Sequence, residues 1–305
     1  CASGLKGLFL TVGLGMGLFA QTSTIQGTIT DPSNAAIPNA KVVAFDEGKG
    51  IVARETTTAM DGTFALRPLL PESPTWEQAR QAGTLRRPSL TELFRPALRR
   101  TTIVTTLLMA CGYAVAYGAI QQTPRITPGL ADVRSLPPAM IEKTVSAVQS
   151  FHETGGLVGR LLLAVLAVRI VGRRRLLRLF QFPGLIAVPV TFFLAAVTDA
   201  TFLRWSIFCV GICTVGQFSF WGNYLPRVFP THLRGTGESF AANIGGRMIG
   251  TSAAVMTTQL ANAMGSGSPA SRLAVAAGIV ATGAYVIGII ASQWLPEPVG
   301  EDLPS

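Results

Sequence analysis

From Thr101 to Leu295 long apolar runs alternate with short polar connectors, and this rhythm predicts six helices at about 101–122, 144–171, 179–198, 203–224, 239–263 and 273–295. Each run approaches the roughly 20 residues a helix needs to cross ~30 Å of hydrocarbon. The connectors carry the charge, and they carry it unevenly. Arg80, Arg86, Arg87, Arg95, Arg99, Arg100, Arg173, Arg174, Arg175, Arg178, Arg227 and Arg234 fall on one side; Arg125, Arg134, Lys143, Arg204 and Arg272 fall on the other. Basic residues resist translocation, so the bias puts 72–100, the 172–178 loop, the 226–238 loop and the C-terminus in the cytoplasm. The expected fold is an all-α membrane bundle of six transmembrane helices over 101–296, with a tail at 297–305.

The pattern before residue 100 is different. Leu5–Ala20 sets Lys6 ahead of a glycine-rich apolar core, the form of a secretory signal peptide, so 1–20 reads as a signal-like segment. Within 21–70, TIQGTIT, KVVAF and TFAL alternate like half-buried strands, separated by the turn-rich DPSNAAIPN and EGKG and by Asp61-Gly62. A short β segment is therefore expected there, followed by a basic loop at 71–100.

Composition supports the membrane reading. Residues are 49% hydrophobic and 13% charged, with a mean hydropathy of +0.42, far from a soluble domain. The net charge of +9 does not signal nucleic acid, because the arginines cluster between apolar runs instead of forming a stripe among exposed aromatics. Cys1, Cys111, Cys209 and Cys213 lack metal spacing, and no glycine-rich phosphate loop or catalytic triad is present. The chain is read as a non-enzyme without cofactor or metal.

Candidate chemistry is confined to polar groups inside the runs. Glu153 is an acid well inside a span, and such groups are functional by default. Its reading is a carboxylate that takes up and releases a proton, or a structural acid bonded to a neighbouring helix. His152 is adjacent and points about 100° away; it either complements Glu153 or is simply hydrogen-bonded. Arg160 lies on the face of Glu153 but ~10 Å along the axis. Arg247, in NIGGRMIG, either meets an anionic group or snorkels to the interface. Tyr113 and Tyr117 share a face that Gln121 would extend, suited to hydrogen-bonding a polyol. Gln149, Gln217, Asn223 and Asn243 line a pathway or hold helices together. Gly155, Gly156, Gly159, Gly245, Gly246 and Gly250 are read as close-packing positions.

Two resemblances organise these observations. Gly27, Asp31, Pro38, Ala40 and Val42, with Asp61-Gly62-Thr63-Phe64 and Leu69-Leu70-Pro71, resemble the carboxypeptidase-regulatory-like β-sandwich, truncated before its closing strands. Pro71-Glu72-Ser73-Pro74-Thr75-Trp76, Arg169-Ile170-Val171-Gly172-Arg173-Arg174-Arg175 and Phe229-Pro230-Thr231-His232-Leu233-Arg234-Gly235-Thr236-Gly237 resemble, in order, the cytoplasmic loop motifs of the C-terminal half of a major facilitator superfamily transporter, nearest the sugar-porter and metabolite–proton symporter branches. The resemblance implies alternating access, a substrate site at the bilayer midplane and a bacterial inner-membrane location. It also implies that Arg173, Arg174, Arg175, Arg234 and Gly235 belong to cytoplasmic gating loops, although the acids that usually pair with these arginines are missing. A small polar metabolite such as a sugar, a proton, the lipid bilayer and a second transporter half or second copy are the expected partners. The alternative is a periplasmic β-sandwich module on a membrane anchor. A working signal peptide would export 21–100, against the arginine bias. Either that segment is no signal, or the helices insert against their charge, or two unrelated sequences are joined near Leu69-Leu70-Pro71; the join is the favoured reading.

Overall fold

The computed structural model describes residues 25–31, 33–46, 51–66, 78, 81–83 and 88–298. The signal-like segment, the Pro71–Trp76 motif, Arg80, Arg86 and Arg87, and the tail beyond Pro298 lie outside the described residues. The chain divides into two compact units, Cys1–Leu85 and Arg86–Ser305.

In the first unit, β1 (Ile25–Thr28) pairs antiparallel with β4 (Thr63–Leu66), and β2 (Lys41–Asp46) pairs antiparallel with β3 (Ile51–Thr57). The first ladder is tight: a Cβ on Gly27 would stand 2.7 Å from the Phe64 ring. Buried Thr58 ties the β2 entry to the preceding turn, accepting from Ala40 N at 2.8 Å and donating to Ile37 O at 2.6 Å. Asp31 and Asp61 are turn-builders. Asp31 accepts from Ser33 Oγ, Ser33 N and Ala35 N, and Asp61 from the Thr63 hydroxyl and amide. Those bonds hold both carboxyls below the ordinary aspartate value. The sequence expectation named three strands; IVARETT forms a fourth, β3, whose β-branched and alternating residues suit a strand.

The second unit is helical. Its elements are α1 (Pro96–Gly118), α2 (Pro138–Arg169), α3 (Arg173–Pro189), α4 (Ala200–Val228), α5 (Arg234–Phe240), α6 (Ala253–Ala263) and α7 (Pro269–Ala291). Proline opens α1, α2 and α7, where a missing N–H costs nothing. Asp199 caps α4 by accepting from Phe202 N at 2.8 Å, and Ser268 caps α7 by accepting from Ser271 N at 3.1 Å. Wide π-helical turns follow α3 (Val190–Ala195) and α5 (Ala241–Gly250).

Among the described residues, five helical stretches are long and apolar enough to cross a membrane: Pro96–Gly129, Pro138–Arg169, Arg173–Thr198, Ala200–Val228 and Pro269–Trp294. The sixth expected run, 239–263, is not one continuous span. It is the π-helical stretch, a turn at 251–252 and then α6. Asn243, Gly245, Gly246 and Gly250 are weak helix formers, and the packing of the segment explains the rest. A Cβ on Gly250 would lie 2.7 Å from Ala110 O, one on Gly246 2.8 Å from the Tyr113 ring, and one on Gly245 collides with Thr106 O. The widened turn lies directly on the α1 backbone.

The same device joins α2 to α4. A Cβ on Gly159 would meet the Ile212 backbone, with its Cα at 2.8 Å; one on Gly155 would strike Phe208 O; Gly211 returns the contact, a Cβ there lying 2.9 Å from Gly156 N. The remaining contacts complete an exchange: α1 packs on the π-helical stretch and on α7, while α4 packs on α2 and α3. The first helix of each run of three thus lies against the second and third elements of the other run. Large apolar side chains such as Leu161, Val165, Ile186, Met248 and Val255 face outward.

Replacing Gly159 with Val therefore overpacks the α2–α4 contact and should destabilise the bundle by about 1–3 kcal/mol. Gly222→Ala, where a Cβ meets nothing within 4 Å, should leave the melting temperature unchanged or slightly raised. Detergent-solubilised thermal unfolding followed by size-exclusion compares the two.

Candidate functional site

α2 carries Glu153 near the middle of its 32 residues. His152 turns inward against α4 and is buried, whereas the Glu153 side chain is 72% exposed. The carboxylate folds back until its Oε1 lies 3.2 Å from His152 Nδ1, without hydrogen-bond alignment, so neither imidazole nitrogen has a hydrogen-bond partner. The expected divergence of the two residues holds for their backbone positions, and the side chains nevertheless meet. Arg160 is exposed one face-repeat further on, and no ion pair joins Glu153 to Arg160 or Arg247 among the described residues. Gln149 is half-buried on the same helix.

On α1 the Tyr113 and Tyr117 rings stack, with centroids 5.8 Å apart and planes at 14°. Tyr113 also meets Phe218 of α4 edge-on at 5.2 Å; Gly246 closes against its ring and Gly250 against its Cβ. Arg247 and Asn243 are both exposed on that π-helical stretch. Gln121 does not continue the tyrosine stripe on one helix. The α-helix stops at Gly118, and Gln121 stands exposed on a tighter turn, Ile120–Gln122. Its neighbour Gln122 is the buried one, donating to Tyr117 O at 3.0 Å and accepting from Arg125 at 2.9 Å.

Behind these helices the fold assembles a polar cluster that the sequence reading missed. Tyr285 of α7 shares a 2.8 Å hydrogen bond with Thr214 of α4, and Gln217 Nε2 donates to Tyr285 OH at 3.3 Å and to Cys213 O at 2.8 Å. Gln181 of α3 points its buried Oε1 at no partner. Gln181, Thr214, Gln217 and Tyr285 line a cavity of ≈ 20 Å³ with Cys111 and Gly288. That volume suits one water. Gln217 therefore holds helices together, one of the two roles expected for it.

The arginine-bearing loops gather at one end of the bundle, and they do find acids. The Glu297 carboxylate accepts from Arg173 N at 2.8 Å and Arg174 N at 2.9 Å, capping α3 from the far end of the chain. Residues 292–298 run across three helix ends: Arg174 Nε donates to Leu295 O, Arg178 Nε to Ser292 Oγ at 3.1 Å, Arg100 Nε to Trp294 O at 3.0 Å, and Tyr224 OH to Pro296 O at 2.6 Å. Before α1, Glu92 lies 3.1 Å from His232 Nε2 and 3.3 Å from Arg95. Thr231–Leu233, which carries that histidine, forms the turn that leads into Arg234 and α5; Gly235 is exposed. The motifs themselves carry no acid, as the sequence shows, and Glu297 and Glu92 reach these loops from other parts of the chain. Only Glu297, placed directly after the last apolar run, had a visible position in the sequence.

Comparison with known proteins gives one family match. The carboxypeptidase regulatory-like domain matches residues 24–89. It includes the strands of the first unit and runs through Pro71–Trp76, the stretch also assigned to the first transporter motif. No curated protein matches the chain.

Glu297→Ala should uncap α3 and free the 292–298 strap, at a cost of about 1–2 kcal/mol typical of a lost cap. Limited proteolysis should then cut after Arg173, Arg174 or Arg175 several times faster, while Glu142→Ala, on an exposed turn of α2, should not change the pattern.

Proposed function

We propose that the helical unit is one half of an alternating-access carrier of the major facilitator type, moving a small polar, sugar-like solute with a proton. The observation that carries this reading is the exchanged packing of two three-element runs, α1 on the π-helical stretch and α7, and α4 on α2 and α3. Nested three-plus-three repeats are a building principle of such carriers, whose solute sites lie at the membrane midplane. Outward polar groups give the second support. Glu153, Arg160, Asn243, Arg247, Tyr117 and Gln121 all face away from the bundle. Ionised groups in contact with lipid are costly, so this face meets water or another protein surface.

In this reading Glu153 titrates, with His152 beside it, and Arg247, Tyr113, Tyr117, Gln121, Gln149 and Asn243 contact or orient the solute. The loops at Arg173–Arg175 and at Arg234-Gly235 are cytoplasmic and close that side, and the membrane is the inner membrane of a bacterium. A second half or a second copy completes the pathway. Uptake of labelled sugars into proteoliposomes under an inward proton gradient should be weak for the lone chain. It should rise when the chain is supplied with a complementary half and fall at least tenfold in Glu153→Gln. Gradient-driven uptake that survives this substitution would remove the proton role.

A second reading rests on the match at 24–89: the first unit is an exported β module and the helices anchor it. Protease added to the periplasmic face of spheroplasts separates the two. Digestion within 24–66 is expected only if that module is outside.

A further inference from the structure

The basic end of the bundle holds a pocket that shares Arg173 with the proposed gating loop and lies apart from Glu153 and Arg247. It is ≈ 600 Å³ and lies between α2, α4 and the residues after α7. Leu163, Ala164, Ala167, Val168 and Val171 form an apolar wall, and Arg173, Arg227, Ser219 and Asn223 form a polar one. Val168 and Val171 are more than four-fifths exposed at its mouth, so the apolar side opens towards the flank of the bundle.

The charge here is unbalanced. Arg173 is buried and close enough to Arg227 for the two like charges to oppose one another. Arg173 also starts α3, where the helix dipole already adds positive potential. Glu297 supplies one negative charge, and its oxygens are taken up by the Arg173 and Arg174 amides. Arg173 Nη1 makes one long bond, 3.3 Å, to Ala167 O. Among the described residues, three guanidinium groups (Arg173, Arg174, Arg227) therefore stand near one carboxylate, which only Arg174 approaches, at 3.9 Å. A dipole argument explains Arg227 at the C-terminal turn of α4, but it does not explain a second arginine brought beside it.

We propose that this pocket binds the phosphate headgroup of an acidic phospholipid. Arg173 and Arg227 take the phosphate, Ser219 and Asn223 hydrogen-bond its oxygens or the glycerol, and an acyl chain lies along Leu163, Ala167 and Val168. Basic pockets between helices at the cytoplasmic face are where such headgroups bind. A free phosphate shares the headgroup chemistry but would leave the apolar wall uncovered.

Native mass spectrometry of the full chain, delipidated and then exposed to phosphatidylglycerol and phosphatidylcholine, reads the site directly. Phosphatidylglycerol should be retained preferentially. Removing one charge with Arg227→Gln should weaken that retention roughly fivefold, and Arg134→Gln at the opposite end should not change it. Ser219→Leu, which fills the polar wall without touching a charge, should also lower retention, and it keeps the test valid if Arg227→Gln unfolds. Equal retention of the two lipids, or phosphatidylglycerol retention untouched in a folded Arg227→Gln, would overturn the proposal. Inorganic phosphate that raises the melting temperature of the wild type but not of Arg227→Gln, without any lipid preference, would overturn the lipid assignment. These readouts are of binding, so they stand or fall independently of transport.

Discussion

Close contact of helix backbones at glycine is the constraint on which the helical unit depends. In lipid there is no hydrophobic gain from pressing one apolar helix on another, so packing quality and backbone approach decide which helices associate. Gly155 and Gly159 let α2 lie on the Phe208 and Ile212 carbonyls of α4, and Gly245 and Gly250 let the π-helical stretch lie on Thr106 and Ala110 of α1. These two contacts occupy corresponding places in the two runs of three elements. They hold each run to the other, so neither run is a separate bundle.

The ends of the helices are fixed by a different means. Arginines at 100, 174 and 178 donate to the strap at 292–298, and Glu297 returns two bonds to the start of α3. A strap that ties α1, α3 and α4 at one end leaves the opposite end to lighter fastenings, such as Asp132 accepting from Ala200 N at 3.0 Å. Any rocking of the unit would be expected to hinge at the strapped end. The local sequence around Arg173–Arg175 cannot announce this, because its partner is more than 120 residues away.

What could be read from the sequence follows from range. Apolar periodicity is local, and the five spanning helices overlie the runs that predicted them, each of them starting three to six residues earlier. The glycine positions were legible for the same reason: small residues at helical spacing have one main use in lipid. The broken sixth run was not legible, because its mean polarity is helical-span-like and only contact with α1 widens the turn. Gln121 was misplaced in register because Ala119 leaves the helix at φ −125°, which no pattern rule foresaw. The Gln181–Thr214–Gln217–Tyr285 cluster was invisible since its members lie on three helices. Strand β3 opens with Ile51-Val52-Ala53 directly after the EGKG turn, and its antiparallel pairing with β2 places it in the ladder.

The outward polar groups are the last constraint. Glu153 and Arg247 are on exposed surfaces of α2 and the π-helical stretch, no ion pair joins them among the described residues, and each lies within a mainly apolar run. Charged groups at a helix centre cost about 2.5–3.5 kcal/mol each even on insertion scales. Two such groups consume a large part of the 5–15 kcal/mol that typically separates folded from unfolded states. A bundle that keeps them exposed to lipid would give up stability for nothing, whereas one that turns them to a water-filled cleft gives up little. Under the proposed transport function, these outward polar groups are the ones a second surface would cover.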